Sequence, residues 1–186
     1  MRAIALANSK AIYQRATPVL NIRGIGGKRW KRNVAKGGRI GPWLQAEFTV
    51  LDSKTWEARI PCLYLVGGAD GNIRYVGISR NRMKDRWRVS PAYDAETMVR
   101  LPVNQLLHSQ CWKQIERETE TNRNAQFEVR CINSEQLLPL LEHFGPPLSA
   151  FTALRGDGEG IVAGVERWLC NNKSGELVTW NIAMTA

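Results

Sequence analysis

The sequence predicts a small α+β domain with a basic N-terminal β/loop extension. Three observations predict it. Beyond residue 59, short β-forming runs and longer helix-period runs follow one another in the order ββααβααβ. An Asp-Gly turn joins the first two of those runs. The 186 residues, 44% hydrophobic and 23% charged, suffice for one well-buried core.

Residues 1–58 read as loops and short strands, in "TPVLNIRGI", "GGKRWKRNVAKGGRIG" and "PWLQAEFTVLD". Gly24, Gly26, Gly27, Gly37, Gly38 and Gly41 flank a basic cluster and argue against a helix there, which leaves a flexible or β-hairpin arm. From Ile60 the pattern sharpens. "CLYLV" and "IRYVGIS" are strands on either side of "GGADGN", with Asp70-Gly71 as the turn. "NRMKDRWRV" is a helix ending before Pro91, and "LPVNQLLHSQCWKQIERETE" is a longer one. "AQFEVRCI" alternates as a strand. "SEQLLPLLEHFG" is a helix opened by Ser134 and closed by Gly145, with Pro139 early in it or kinking it. In the helix "DGEGIVAGVERWLCNNK", Ile161, Val162, Val165, Trp168 and Leu169 share an apolar face, and Glu166 falls at its edge. "ELVTWNI" is the last strand.

Several function classes are excluded or disfavoured. No apolar run approaches the roughly 18 residues that span a bilayer, and "MRAIALANSK" breaks its apolar stretch at Asn8 and Lys10, so a soluble cytoplasmic protein is expected. Cys62, Cys111, Cys131 and Cys170 form no C-x-x-C pair, and His108 and His143 are the only histidines. That disfavours zinc and a histidine triad, and it makes buried thiols the expected state of the cysteines. "GGKRW" is not a phosphate-binding P-loop, because Arg29 stands where Ser or Thr is required.

Charge is concentrated at one end. Residues 1–58 carry eleven Lys and Arg against Glu47, Asp52 and Glu57, which places +8 of the chain's +9 there. A field of this kind points to a polyanion, nucleic acid ahead of an anionic membrane. Lys28, Arg29, Trp30, Lys31, Arg32, Lys36 and Arg39 are the candidate contacts to phosphates and bases. A solvated basic loop beside an edge strand is the alternative reading.

The hairpin at residues 61–88 carries the chemistry. With Asp70-Gly71 as the turn, Tyr64 pairs with Gly77 and Tyr75 with Val66, which sets both phenols on one face; a one-residue slip would separate them. Gly77 leaves room beside Tyr75, and Arg82 and Arg86 follow at i, i+4. Phenols with guanidinium suit a phosphodiester: arginine clamps phosphate oxygens, and a phenol positions or deprotonates a water.

"CLY", ten residues, "YVG", and then "RW" eleven residues after Tyr75 together resemble the signature of the GIY-YIG nuclease superfamily. Leu63 stands for the usual Ile and Cys62 where glycine is usual. Glu166 in "GVERWLC" and Asn181 in "VTWNI" resemble the family's later glutamate and asparagine. The resemblance covers about residues 60–183, and it divides the chain into a DNA-contacting extension, 1–58, and a nuclease-like domain, 59–186. It implies a small central antiparallel sheet flanked by helices. It further implies Tyr64 as general base or water-orienting phenol, Tyr75 as its partner, Arg86 on the scissile phosphate, Glu166 as ligand to one divalent cation (Mg²⁺, with Mn²⁺ as a substitute), and Asn181 as a brace of the site. His108 resembles a histidine of some members, whereas a second histidine found in some is replaced by Ser90. Arg80 and Arg82 are either phosphate contacts or solvated helix charges.

The expected activity is metal-dependent endonucleolytic hydrolysis of DNA, duplex favoured, of the site-specific restriction type, which usually acts as a homo-oligomer. The alternatives are a less specific DNase, used as a toxin or phage weapon alongside a cognate inhibitor protein, and a DNA-binding module without catalysis.

Overall fold

The computed structural model describes residues 2–32, 39–87, 111–172 and 180–181. Helix α1 (Arg2–Arg15) leads into the long strands β1 (Thr17–Arg32) and β2 (Arg39–Val50), then the short helix α2 (Ser53–Glu57). Strands β3 (Cys62–Gly68) and β4 (Ile73–Ser79) follow, then α3 (Met83–Arg86), α4 (Cys111–Thr121), β5 (Phe127–Asn133) and α5 (Ser134–His143). A 3₁₀ segment (Leu148–Leu154) precedes α6 (Gly158–Asn171). The five strands form one sheet in the order β2-β1-β5-β3-β4, antiparallel at each pairing. Helices flank it, so the fold is α+β.

Strand alternation builds two cores. Leu63, Leu65, Val76 and Ile132 face one side, where Ile12 of α1, Leu137 and Leu141 of α5, and Ile161, Val162, Val165 and Leu169 of α6 cover them. Cys62, Tyr64, Val66, Val129 and Cys131 face the other, with Met83, Trp87, Trp112 and Ile115. Strand β3 is therefore buried on both faces, which explains why "CLYLV" reads as a continuous apolar run and not as an alternation.

The N-terminal segment differs from its expectation as loops and short strands. Ala3, Ala5, Ala7 and Ala11 with Leu6, Lys10 and Gln14 make residues 2–15 a good helix former, and Arg15 in its last turn complements the helix dipole. Tyr13 and Arg130 tie α1 to β5: the guanidinium lies 4.7 Å from the ring centroid and donates to the Tyr13 carbonyl at 3.3 Å. Beyond α1, Thr17–Ile22 of β1 pairs with β5 from Cys131 to Phe127. The sheet is thus continuous across position 58, and the first 58 residues supply two of its five strands.

The β3–β4 register is the expected one, with Tyr64 opposite Gly77 and Val66 opposite Tyr75. The turn differs in detail. Gly71 N–H donates to Gly68 O at 3.0 Å, so Ala69 and Asp70 are the central residues. Gly71 follows at φ +76°, a left-handed conformation that glycine adopts without strain. A register shift between Val66 and Gly67 absorbs the odd residue and keeps both tyrosines on one face. Helix α3 is a single turn. Helix α5 is capped by Asn133 and not Ser134: its side chain accepts from Gln136 N–H at 2.9 Å, while the Gln136 side chain accepts from Asn133 N–H at 3.3 Å. At the other end the cap is Phe144 and not Gly145, and Pro139 lies inside the helix. Of the expected last strand, Trp180 and Asn181 are described, and neither has strand structure.

Candidate active site

Strand β3 delivers Tyr64 and strand β4 delivers Tyr75 to the same face, where their rings stack with centroids 5.9 Å apart and an interplanar angle of 22°. Gly77 is the floor beneath them. A Cβ there would meet Tyr64 Cζ and Oη and Tyr75 Cε1, each at 2.6 Å. Trp87 stands edge-on to Tyr64 at 5.6 Å and Trp112 edge-on to Trp87 at 5.5 Å, and the Trp112 indole N–H donates to the Trp87 carbonyl at 3.0 Å. This aromatic chain holds Tyr64 fully buried. Gly77→Ala is therefore expected to destabilise the fold by about 1–3 kcal/mol and to displace the phenols. Denaturant melts and near-ultraviolet circular dichroism check both effects.

Arg86 completes the face. Its Nε–H donates to the Tyr64 phenol oxygen at 3.2 Å. Burial works against the guanidinium's charge, but the Tyr64 and Tyr75 phenols beside it outweigh that and hold its pKa above the ordinary value. Tyr75 is pushed far up, by burial first and then by the charge Tyr64 would carry, so it keeps its proton. Cys131, opposite Tyr64 on β5, is also pushed up, by its hydrogen bond with Cys62 and by burial. It is a packing thiol, not a competing nucleophile. All four cysteines are buried thiols, as expected.

Glu166 comes from α6 on the opposite side of the sheet. Asp157 caps that helix by accepting from Gly160 N–H at 2.9 Å, and the apolar face beside Glu166 docks under β3 and β4. Glu166 is 7% exposed. Burial raises its pKa; Arg86, then Arg80, then a hydrogen bond from Ile78 N–H of β4 act to lower it. Arg86 thus donates to Tyr64 while its charge also acts on Glu166. Asn181 braces this junction. Its carboxamide accepts from Val76 N–H at 2.9 Å and donates to Val76 O at 2.7 Å and to Cys170 Sγ at 3.2 Å. It joins β4 to α6 one turn beyond Glu166.

The structure therefore brings Tyr64, Tyr75, Arg86, Glu166 and Asn181 together. Arg80 and Arg82 lie beside them in ion pairs: Arg80 with Glu159 at 2.5 Å, and Arg82 with Asp85 at 2.8 Å and Glu57 at 3.7 Å. His108 and Lys36 lie outside the described residues. Lys28, Arg29, Trp30, Lys31, Arg32 and Arg39 fall in the distal parts of β1 and β2, separated from the tyrosine hairpin by β5. The sequence reading missed Trp87 as the support of Tyr64 and the Ile78 amide as a partner of Glu166. The spacing of Trp87, next to Arg86 in the chain, was the available signal for the first. Among the described residues no three His, Cys, Asp or Glu side chains converge as a metal-binding group, and no helix is long and apolar enough to cross a membrane. Compared with known proteins, the chain matches no family model, no curated protein and no solved structure.

Proposed function

We propose that the protein is a divalent-metal-dependent DNA endonuclease of the GIY-YIG type, cutting duplex DNA at defined sites. The observation that carries the reading is Arg86. Its guanidinium N–H rests on the Tyr64 oxygen, and its charge acts on Glu166 as well. A phosphodiester seated against it would have a base and a carboxylate within reach of one cation.

The two phenols divide the work. Tyr75 stays protonated and can donate a hydrogen bond. Tyr64 has a guanidinium N–H on its oxygen, and in this reading it is the group that takes a proton from water. The water oxygen bonds to phosphorus as its proton passes to the Tyr64 oxygen in its phenolate form, and the bond to the sugar oxygen breaks with its electron pair on that oxygen, which takes a proton from solvent. Arg86 stabilises the added negative charge on the phosphoryl oxygens. Glu166 fits a hard cation, since burial leaves its carboxylate poorly solvated and a single protein carboxylate with water and substrate oxygens is ordinary Mg²⁺ ligation. When bound, such a cation supplies Lewis-acid polarisation of a phosphoryl oxygen.

The test is incubation with supercoiled plasmid and Mg²⁺, the parent beside Tyr64→Phe. Discrete linear fragments are expected from the parent, and Tyr64→Phe, with an unchanged melting temperature, should be slower by about 10²–10⁴-fold. A smear would replace the site-specific reading with that of an unspecific DNase. DNA binding with no cutting in Mg²⁺ or Mn²⁺ would overturn the nuclease reading.

A further inference from the structure

We infer that the distal half of the β1–β2 hairpin is a free-standing ribbon that seats in the major groove of duplex DNA, about one helical turn or more to one side of the cut. The inference rests on the nuclease reading for its substrate. Strand β1 has β5 beside it only through Ile22, whereas its pairing with β2 continues through Lys28↔Leu44 and Arg29↔Trp43 to Arg32↔Arg39. Among the described residues the sheet narrows to two strands past Ile22. A two-stranded antiparallel ribbon is an element the major groove, about 12 Å wide, admits.

Its charge needs a polyanion. Seven cations lie between Arg23 and Arg39, and Glu47 is the first acidic residue in the chain. The register sets Arg32 opposite Arg39, and like charges directly opposite destabilise a strand pair. An isolated two-stranded ribbon is marginal in water even without that repulsion. Phosphates on either wall of a groove supply the missing counter-charge. At the ribbon's root the situation reverses. A cleft of about 710 Å³ separates it from α4 and is lined by Glu47, Glu116 and Glu120 together with Arg23 and Arg123, so a phosphate backbone is drawn to the distal half.

The sheet also sets the distance. Thr17 and Tyr64 both pair with Cys131 and so lie in one row across the sheet. From that row to Lys28–Arg32 is 11 to 15 residues along β1, which is about 35–50 Å of strand, or about 10–15 base pairs of B-DNA at ~3.4 Å each. The ribbon and the tyrosines are two separate contacts on one duplex.

The experiment measures affinity in EDTA for nested duplexes of about 12 to about 36 base pairs, and hydroxyl-radical footprints on the longest, for the full chain and for a Lys28→Ala/Arg29→Ala/Lys31→Ala/Arg32→Ala variant. Parent affinity should rise at least ~10-fold as length passes about 20 base pairs. The variant should lose that rise, and its salt slope should fall by about 3–4. The footprint should lose protection about one turn to one side of the cut. A variant with the parent's length dependence and footprint overturns the ribbon while leaving the nuclease standing. A ribbon-dependent footprint with no cutting in Mg²⁺ leaves the ribbon standing and overturns the nuclease. Absence of any duplex binding overturns both.

Discussion

Glu166→Gln should abolish detectable plasmid cutting, a loss of at least about 10³-fold, and at the same time make the protein more stable at neutral pH. The two effects have one cause. The carboxyl is buried and its pKa is raised in the fold, so the folded state holds that proton more tightly than the unfolded chain does. Its contribution to stability is fully present below the unfolded value, ordinarily about 4.3. It is lost as pH rises through that value toward the raised one. At pH 7 the ionised carboxylate is therefore a burden that glutamine does not carry, while glutamine's carbonyl can still accept from Ile78 N–H. Thermal melts against pH should show the variant above the parent at pH 7, with the gap closing toward pH 4. Added Mg²⁺ should raise the melting temperature of the parent and leave that of the variant where it was. A parent that is the more stable at pH 7 would show that Arg86 and Arg80 already compensate the buried charge.

Arg86→Ala should be nearly as severe for catalysis, about 10²–10³-fold in kcat, and opposite in its effect on stability. It removes the donor to the Tyr64 oxygen and the cation that acts most strongly on Glu166, which leaves a buried carboxylate with less compensation. Arg86→Lys keeps the charge but not the planar fork, so a partial return is expected, with stability recovering more than rate. Single-turnover rates at saturating DNA isolate the chemical step. If Arg86 serves only to pack the site, the Lys variant would recover rate and stability together.

Local pattern carried the tyrosine hairpin. Its register follows from the sum of two sequence positions, and the structure reproduces it because the bulge after Val66 compensates a turn that begins one residue earlier than expected. Glu166 was legible for the same kind of reason: a helix wheel places it beside Ile161, Val165 and Leu169 whatever the rest of the chain does. The antiparallel pairing of β1 with β5 was not legible, because Ile22 and Phe127 are more than a hundred residues apart and nothing in the local pattern of either names the other. Helix α1 was missed differently. Its alanines carry helix propensity without much amphipathic pattern, and Ile12 becomes core only once β5 and α6 are in place. The second role of Arg86, toward Glu166, depends on a helix packed on the far side of the sheet, which hairpin spacing does not encode.

Asn181 has a consequence outside catalysis. Among the described residues strand β4 ends the sheet, and an uncovered edge is a template on which a second molecule can add a strand. Here the outward N–H and C=O of Val76 are both engaged by one side-chain amide, and the Arg74 carbonyl by the Trp180 N–H. The carboxamide imitates a peptide group of a sixth strand and closes the edge to intruders. Position 181 is therefore a guard against self-association as much as a brace for Glu166. Asn181→Ala is therefore expected to raise self-association as well as to loosen the site, and a solubility screen reads the first effect apart from the second.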